Sequence, residues 1–171
     1  MIGDRVSTSD QELLAFMDGM ARGARLFGVD LGTKTIGIAM SDVERSIATP
    51  LETIKRVKFT PDVGKMRALA ERFGVGGIVM GLPLNMDGTE GPRSQATRAF
   101  VRNMKPILPL PVLFWDERLT TVAATRMLVD ADTSRAKRAE VIDRVAASYI
   151  LQGALDRYHR LLPEDDEDVE G

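Results

Sequence analysis

Carboxylates are costly inside apolar sequence, and this chain places several there. Asp30 lies in the run "RLFGVDL" (25–31), Asp116 and Glu117 follow "PVLFW" (111–115), and Asp143 sits within "RAKRAEVIDRVAASYIL" (135–151). An unpaired ion where a sheet meets its covering layer costs several kcal/mol. Such acids are therefore either tied up locally or met by positive charge. A hard divalent ion with oxygen ligands, Mg²⁺ or Mn²⁺, suits two or three of them together. One such ion, or a pair about 4 Å apart, activates water and stabilises the leaving oxygen in phosphodiester cleavage. The chain offers little else for hydrolysis. It has no cysteine and one histidine, so neither a Ser-His-Asp triad nor a zinc site of usual composition can be assembled. That histidine, His159, adjoins Arg160 at the end of a helical pattern and reads as solvated.

The elements that must position these acids follow from periodicity. Residues 25–31 read as a buried strand and "TIGIAMSD" (35–42) as a second, with Ile36, Ile38 and Met40 on one face. The short "GTK" between them predicts a hairpin. "SIATPLETIKR" gives a third strand, which Pro50 breaks or confines to an edge. A helix over "PDVGKMRALAERFGV" ends near Gly74, and "GGIVMGLP" is a strand buried on both faces. The loop "LNMDGTEG" precedes a helix over about 92–105, with Thr89 a possible cap. "PVLFWDER" is a fifth strand. Thr120 or Thr121 caps a helix through Val129, and after "DADTS" a long helix runs from about Arg135 to Arg160. The order βββαβαβαα predicts an α/β sheet, an antiparallel meander of strands 1–3 followed by parallel crossovers.

In open α/β sheets, ligands bind at the carboxyl ends of parallel strands, where Asp30, Asp116 and Glu117 fall. Alternation sends Asp116 and Glu117 to opposite faces, so only one shares the side of Asp30 unless the strand ends between them. Asp143 lines up with Ala139, Ala146 and Ile150 on one helical face, whose small side chains favour close packing.

At 171 residues the chain suits one domain with a sizeable core. The net charge of −2 hides an asymmetry: residues 163–171, "PEDDEDVEG", hold six acids and no base, leaving 23 basic against 19 acidic residues elsewhere. Such a tail is expected to be disordered, a solubilising segment or a competitor for a basic surface. Residues 1–24 read as an extension with one short helix, in which Ser9 and Glu12 form a capping box and Leu13, Met17 and Met20 share a face. The domain proper is expected over 25–162. No apolar run approaches the roughly 20 residues of a membrane span, and the N-terminus lacks a signal-peptide layout. With no cysteine, the cytoplasm is the expected compartment.

Four motifs in order, "GVDLGTKTIGIAMSD", "GLPLNMDGTEG", "DERLTT" and "IDRVAASYIL", closely resemble the YqgF family over roughly residues 25–158. Its members are described as Holliday-junction resolvases and as pre-16S rRNA processing nucleases. The resemblance implies a ribonuclease H-like three-layer α/β/α fold with a mixed five-stranded sheet, and metal-assisted endonuclease chemistry. Carried over by position, the catalytic and metal-binding acids are Asp30, Glu117 and Asp143. Related nucleases often place an acid at the end of strand four, where "GLPLN" has none; Asp116 and Asp87 are the candidates for a further ligand.

Phosphates need basic groups and free backbone N–H donors. Thr33 and Lys34 occupy the turn beside Asp30, Arg93 falls in the first turn of a helix, and Arg118 follows Glu117, where it either neutralises the acids or grips a phosphate. Lys55, Arg56, Lys58, Arg135, Lys137 and Arg138 would extend the surface. Trp115, Tyr149 and Tyr158 read as packing residues. The expected partner is therefore nucleic acid, precursor rRNA ahead of branched DNA, bound by a monomer or weak homodimer. Two rivals stand beside this reading. "DLGTKTIG" also resembles the phosphate loop of the actin, Hsp70 and sugar-kinase ATPases, which clamp nucleotide between two such domains. A non-catalytic RNA- or protein-binding domain would keep the fold and be indifferent to loss of the acids.

Overall fold

A computed structural model describes residues 9–119 and 135–163, apart from the side chains of 135–139. The expected helix from Thr120 or Thr121 through Val129, the side chains of Arg135, Lys137 and Arg138, and the acidic residues after Pro163 lie outside the described residues.

Helix α1 spans Asp10–Asp18. Its N-cap is Ser9, whose hydroxyl accepts the Glu12 N–H at 3.1 Å, as the capping box predicts. Strands β1 (Arg25–Leu31), β2 (Thr35–Ser41) and β3 (Ala48–Lys55) follow. Helix α2 (Phe59–Phe73) stops at Gly74, whose φ of 66° is the left-handed conformation that glycine adopts without strain. Then come β4 (Val75–Leu82), α3 (Pro92–Met104), β5 (Val112–Asp116), a 3-10 turn over Glu117–Leu119, and α4 (Arg135–Leu161).

The five strands form one sheet in the order β3-β2-β1-β4-β5. β1 pairs antiparallel with β2, and β2 with β3; β1-β4 and β4-β5 are parallel. This is the mixed sheet the sequence predicts, with β3 at an edge. The β2–β3 register slips at Ala39, opposite Pro50, a bulge where proline cannot donate to the ladder.

Alternation along the strands divides the interior into two layers. Phe27, Val29, Ile36, Ile38, Ile78 and Met80 point toward α2 and α3, where Val63, Met66, Phe100 and Met104 cover them. Leu26, Ala39, Val79, Leu113 and Trp115 point the other way, under Ala146, Ala147, Ile150, Leu151, Ala154 and Leu155 of α4 and Leu13 and Met17 of α1. The architecture is a three-layer α/β/α sandwich. Helix α1 belongs to the α4 layer: Arg157 forks Asp10 at 3.0 and 2.8 Å, and the Tyr158 hydroxyl donates to Asp18.

Candidate active site

The site begins with what the sheet lacks beneath α4. A methyl on Gly28 would lie 2.6 Å from both Ala147 O and Leu151 Cβ, and one on Gly37 only 2.1 Å from Asp143 O. Helix α4 therefore crosses β1 and β2 almost backbone to backbone, which side chains at those positions would forbid. A methyl on Gly81 would meet Glu117 Oε1 at 2.7 Å and Ile150 Cδ1 at 2.6 Å.

These glycines locate the acids. Asp30 is two residues beyond Gly28, so it faces α4, and it is buried. Its partner on β2 is Gly37, over which the Asp143 backbone rests. On the other side, one step beyond the Val29–Met80 pair puts Asp30 beside Gly81, over which the Glu117 carboxylate folds. The three acids thus lie side by side across β4, β1 and β2, on strands about 4.8 Å apart. Strand β5 ends at Asp116, and the turn that follows brings Glu117 back to the face of Asp30. Glu117, not Asp116, is therefore the β5 acid on this side. Among the described residues no three acidic, histidine or cysteine side chains lie around one metal position. The acids form a row rather than a closed cage.

Hydrogen bonds support the Asp143 end of the row and the turn next to Asp30. The Thr35 hydroxyl donates to Asp143 Oδ2, and Thr53 donates to Glu140 O at 2.6 Å, fastening the start of α4 to β3. The β1–β2 turn is closed by Gly32 N–H to Thr35 O at 2.9 Å. Arg56 donates to Gly32 O at 2.7 Å, and its backbone N–H to Lys34 O at 2.9 Å. The exposed Thr33 and Lys34 are thus held on a fixed turn next to Asp30.

On the β5 side two expectations need correction. Asp116, considered as an extra ligand, is buried on the opposite face, and both its oxygens are engaged by Arg118: Nε at 3.0 and 3.1 Å, Nη2 at 2.7 Å, and the Arg118 backbone N–H at 2.9 Å. Arg118, considered as a phosphate grip, is correspondingly committed, and Nη1 also donates to Met86 O at 3.1 Å. The Asp116 hydrogen bonds, before all else, raise the pKa of Arg118. Asp87 is exposed, and its Oδ1 accepts the Thr89 hydroxyl at 2.6 Å and the Thr89 N–H at 3.0 Å. That hydroxyl bond, more than any other influence, holds the Asp87 carboxyl below its usual pKa. Thr89 consequently braces the loop, and Gly91 occupies the N-cap of α3 with no side-chain cap bond. Arg93 is exposed in the first turn of that helix.

Thr35 and the three glycines were not singled out from sequence as parts of the site, and Arg56 was read only as an extension of the basic surface, not as the anchor of the β1–β2 turn. Only the glycines left a signal, since Gly28 stands two residues before Asp30 on a strand otherwise built of large side chains.

The family model described as "RuvX: Holliday junction resolvase" matches residues 24–157. Curated relatives carry the name "Putative pre-16S rRNA nuclease". One from Methylocella silvestris is 62% identical over 137 residues, covering 80% of this chain and 85% of the relative. One from Cereibacter sphaeroides is 59% identical over 157 residues, covering 92% and 94%. Among solved structures, T. thermophilus RuvC in complex with Holliday junction substrate superposes with a TM-score of 0.49 at 16% identity, over 81% of this chain and 96% of that one. The chain belongs to the RuvX family, the YqgF family that its four motifs resemble.

Proposed function

We propose that this protein is a metal-dependent endonuclease, a hydrolase of phosphodiester bonds in structured nucleic acid, and that its substrate is the 5′ end of pre-16S rRNA. The observation that carries the chemistry is the row of Glu117, Asp30 and Asp143 on one sheet face, with Gly81 and Gly37 clearing the space on either side of Asp30. The donor set is all oxygen and anionic, which suits hard ions such as Mg²⁺ or Mn²⁺ better than softer ones. Asp30, Glu117 and Asp143 would hold such an ion by closing from the open row they form here. The bound ion would lower the pKa of a water and offset charge on the leaving oxygen. The protein's own groups orient the substrate. Lys34 and Thr33, on the turn that Arg56 fixes, reach a phosphate next to the cut. The N-terminus of α3, with Arg93 in its first turn, takes another.

The rRNA assignment draws on the names of the curated relatives. Four-way DNA is the second reading, favoured by the family description; cutting it symmetrically would call for two copies of the chain. No helix among the described residues is long and apolar enough to cross a membrane, and we place the activity in the cytoplasm.

The test is cleavage of a pre-16S RNA and of a four-way DNA junction during Mg²⁺ and Mn²⁺ titration, with thermal melts alongside. Wild type should cut the RNA only with metal, and melt higher at millimolar Mn²⁺. Asp30→Asn and Asp143→Asn should each lower cleavage about 100-fold or more. Asp143→Asn should leave the metal-free protein at least as stable, since it relieves like-charge crowding. A marked drop in melting temperature would make Asp143 a structural ion partner instead. Metal-independent behaviour of the wild type, with no cutting of either substrate, would leave the non-catalytic binding domain as the reading.

A further inference from the structure

Arg118 follows Glu117 directly, yet its guanidinium is not aimed at the row of acids. Alternation along β5 puts Trp115 on the α4 face and Asp116 on the α2/α3 face. Arg118 lies with Asp116. It forks the buried carboxylate through Nε and Nη2, while its own backbone N–H bonds the same Oδ1 at 2.9 Å. The turn that carries Glu117 is thereby closed by the residues on either side of it. The free corner of the guanidinium, Nη1, reaches Met86 O in the loop between β4 and α3. Gly88 packs on the same group, a methyl there falling 3.4 Å from Nη2. That loop is itself braced by Gly88 N–H to Asn85 O and Asn85 N–H to Thr89 O, both at 2.9 Å. One side chain thus joins the end of β5, the Glu117 turn and the loop leading into α3.

We infer that Arg118 is a positioning residue, which acts through Glu117 and the β4–α3 loop and sets the rate of cutting rather than the grip on substrate. This rests on the nuclease reading above. A lysine at 118 would keep a cation beside buried Asp116 but lose the planar fork, and could not hold Asp116 and Met86 O together. A misplacement of about 1 Å in a catalytic group costs about 100-fold in rate. A phosphate contact behaves differently: its loss weakens binding and reduces the slope of log K against log salt by about one.

The experiment measures single-turnover cleavage of the pre-16S RNA at saturating enzyme, together with RNA affinity across a salt series. It compares wild type, Arg118→Lys and Asp116→Asn. Both variants are expected to cut about 100-fold more slowly, with affinity within about twofold and the salt slope unchanged. Weaker binding with a shallower slope and normal saturated cleavage would overturn the inference, making Arg118 a phosphate ligand. Normal cleavage and binding in both variants would overturn it as well. If Arg118→Lys loses its cooperative melt, Asp116→Asn decides alone. Wild type that cuts neither RNA nor four-way DNA removes the nuclease reading itself; wild type that cuts beside unimpaired variants removes only this inference.

Discussion

The two faces of the sheet are built on different rules. Toward α2 and α3, every strand contributes bulk: Phe27, Val29, Ile36, Ile38, Ile78 and Met80 meet Met66, Phe100 and Met104. Toward α4, the same strands contribute Gly28, Gly37 and Gly81, and the helix answers with Ala146, Ala147 and Ala154. The first face is held by area removed from water, at roughly 25 cal/mol per Å² of apolar surface. The second gives up some of that area to bring backbone and carboxylates close together. Stability and chemistry are thus allotted to opposite sides of one sheet, and substitutions should separate them.

Gly37→Ala should have the largest effect. Its methyl would meet a backbone oxygen at 2.1 Å, so α4 must lift. The expected cost is about 3 kcal/mol in urea unfolding and about 100-fold in cleavage by the remaining folded protein. Met66→Ala on the other face should lose a similar 2–5 kcal/mol yet retain wild-type cleavage per folded molecule at low temperature. Equal activity losses in these two proteins would erase the contrast. Thr35→Val should cost about 1 kcal/mol, by taking one hydrogen bond from Asp143, and slow cleavage several-fold without altering RNA affinity.

The smallest effect concerns acid. The Asp87 carboxyl titrates below its usual value in the folded chain, so its stabilising contribution is complete above the unfolded pKa of about 3.9. It is lost as pH falls through the lower folded value. Asp87→Asn should therefore lower the melting temperature slightly at neutral pH, where that contribution is complete, and the difference from wild type should close below about pH 4.

Much of this division was legible in the sequence. The period-two apolar runs gave the five strands, Gly74 ended α2, and Pro50 marked the edge. Asp143 could be placed on a packing face because Ala146 and Ile150 fall three and seven residues beyond it. Alternation sends Asp116 and Glu117 to opposite faces, and they do part: Asp116 lies on the α2/α3 face and Glu117 beside Gly81 under α4. What stayed hidden depends on contacts distant in the chain. Thr35 meets Asp143 across 108 positions, and Arg118 reaches back 32 to Met86. No local period encodes such pairs, so Arg118 was left between neutralising the acids and gripping a phosphate, and its reach to Met86 was not foreseen. The glycines were visible, but their meaning required knowing which helix would lie over them.

Helix α1 alters where this domain should be thought to begin. The family match starts at residue 24, yet Leu13 and Met17 are 1% exposed, and methyls on Gly77 would strike Met20 Sδ at 2.8 Å and Phe16 Cζ at 2.9 Å. A shortened chain opening at Arg25 would retain all five strands and every acid discussed. It would also uncover an oily seam along Leu26, Val79 and Trp115, and such a fragment should clump in the test tube before its enzymology could be judged.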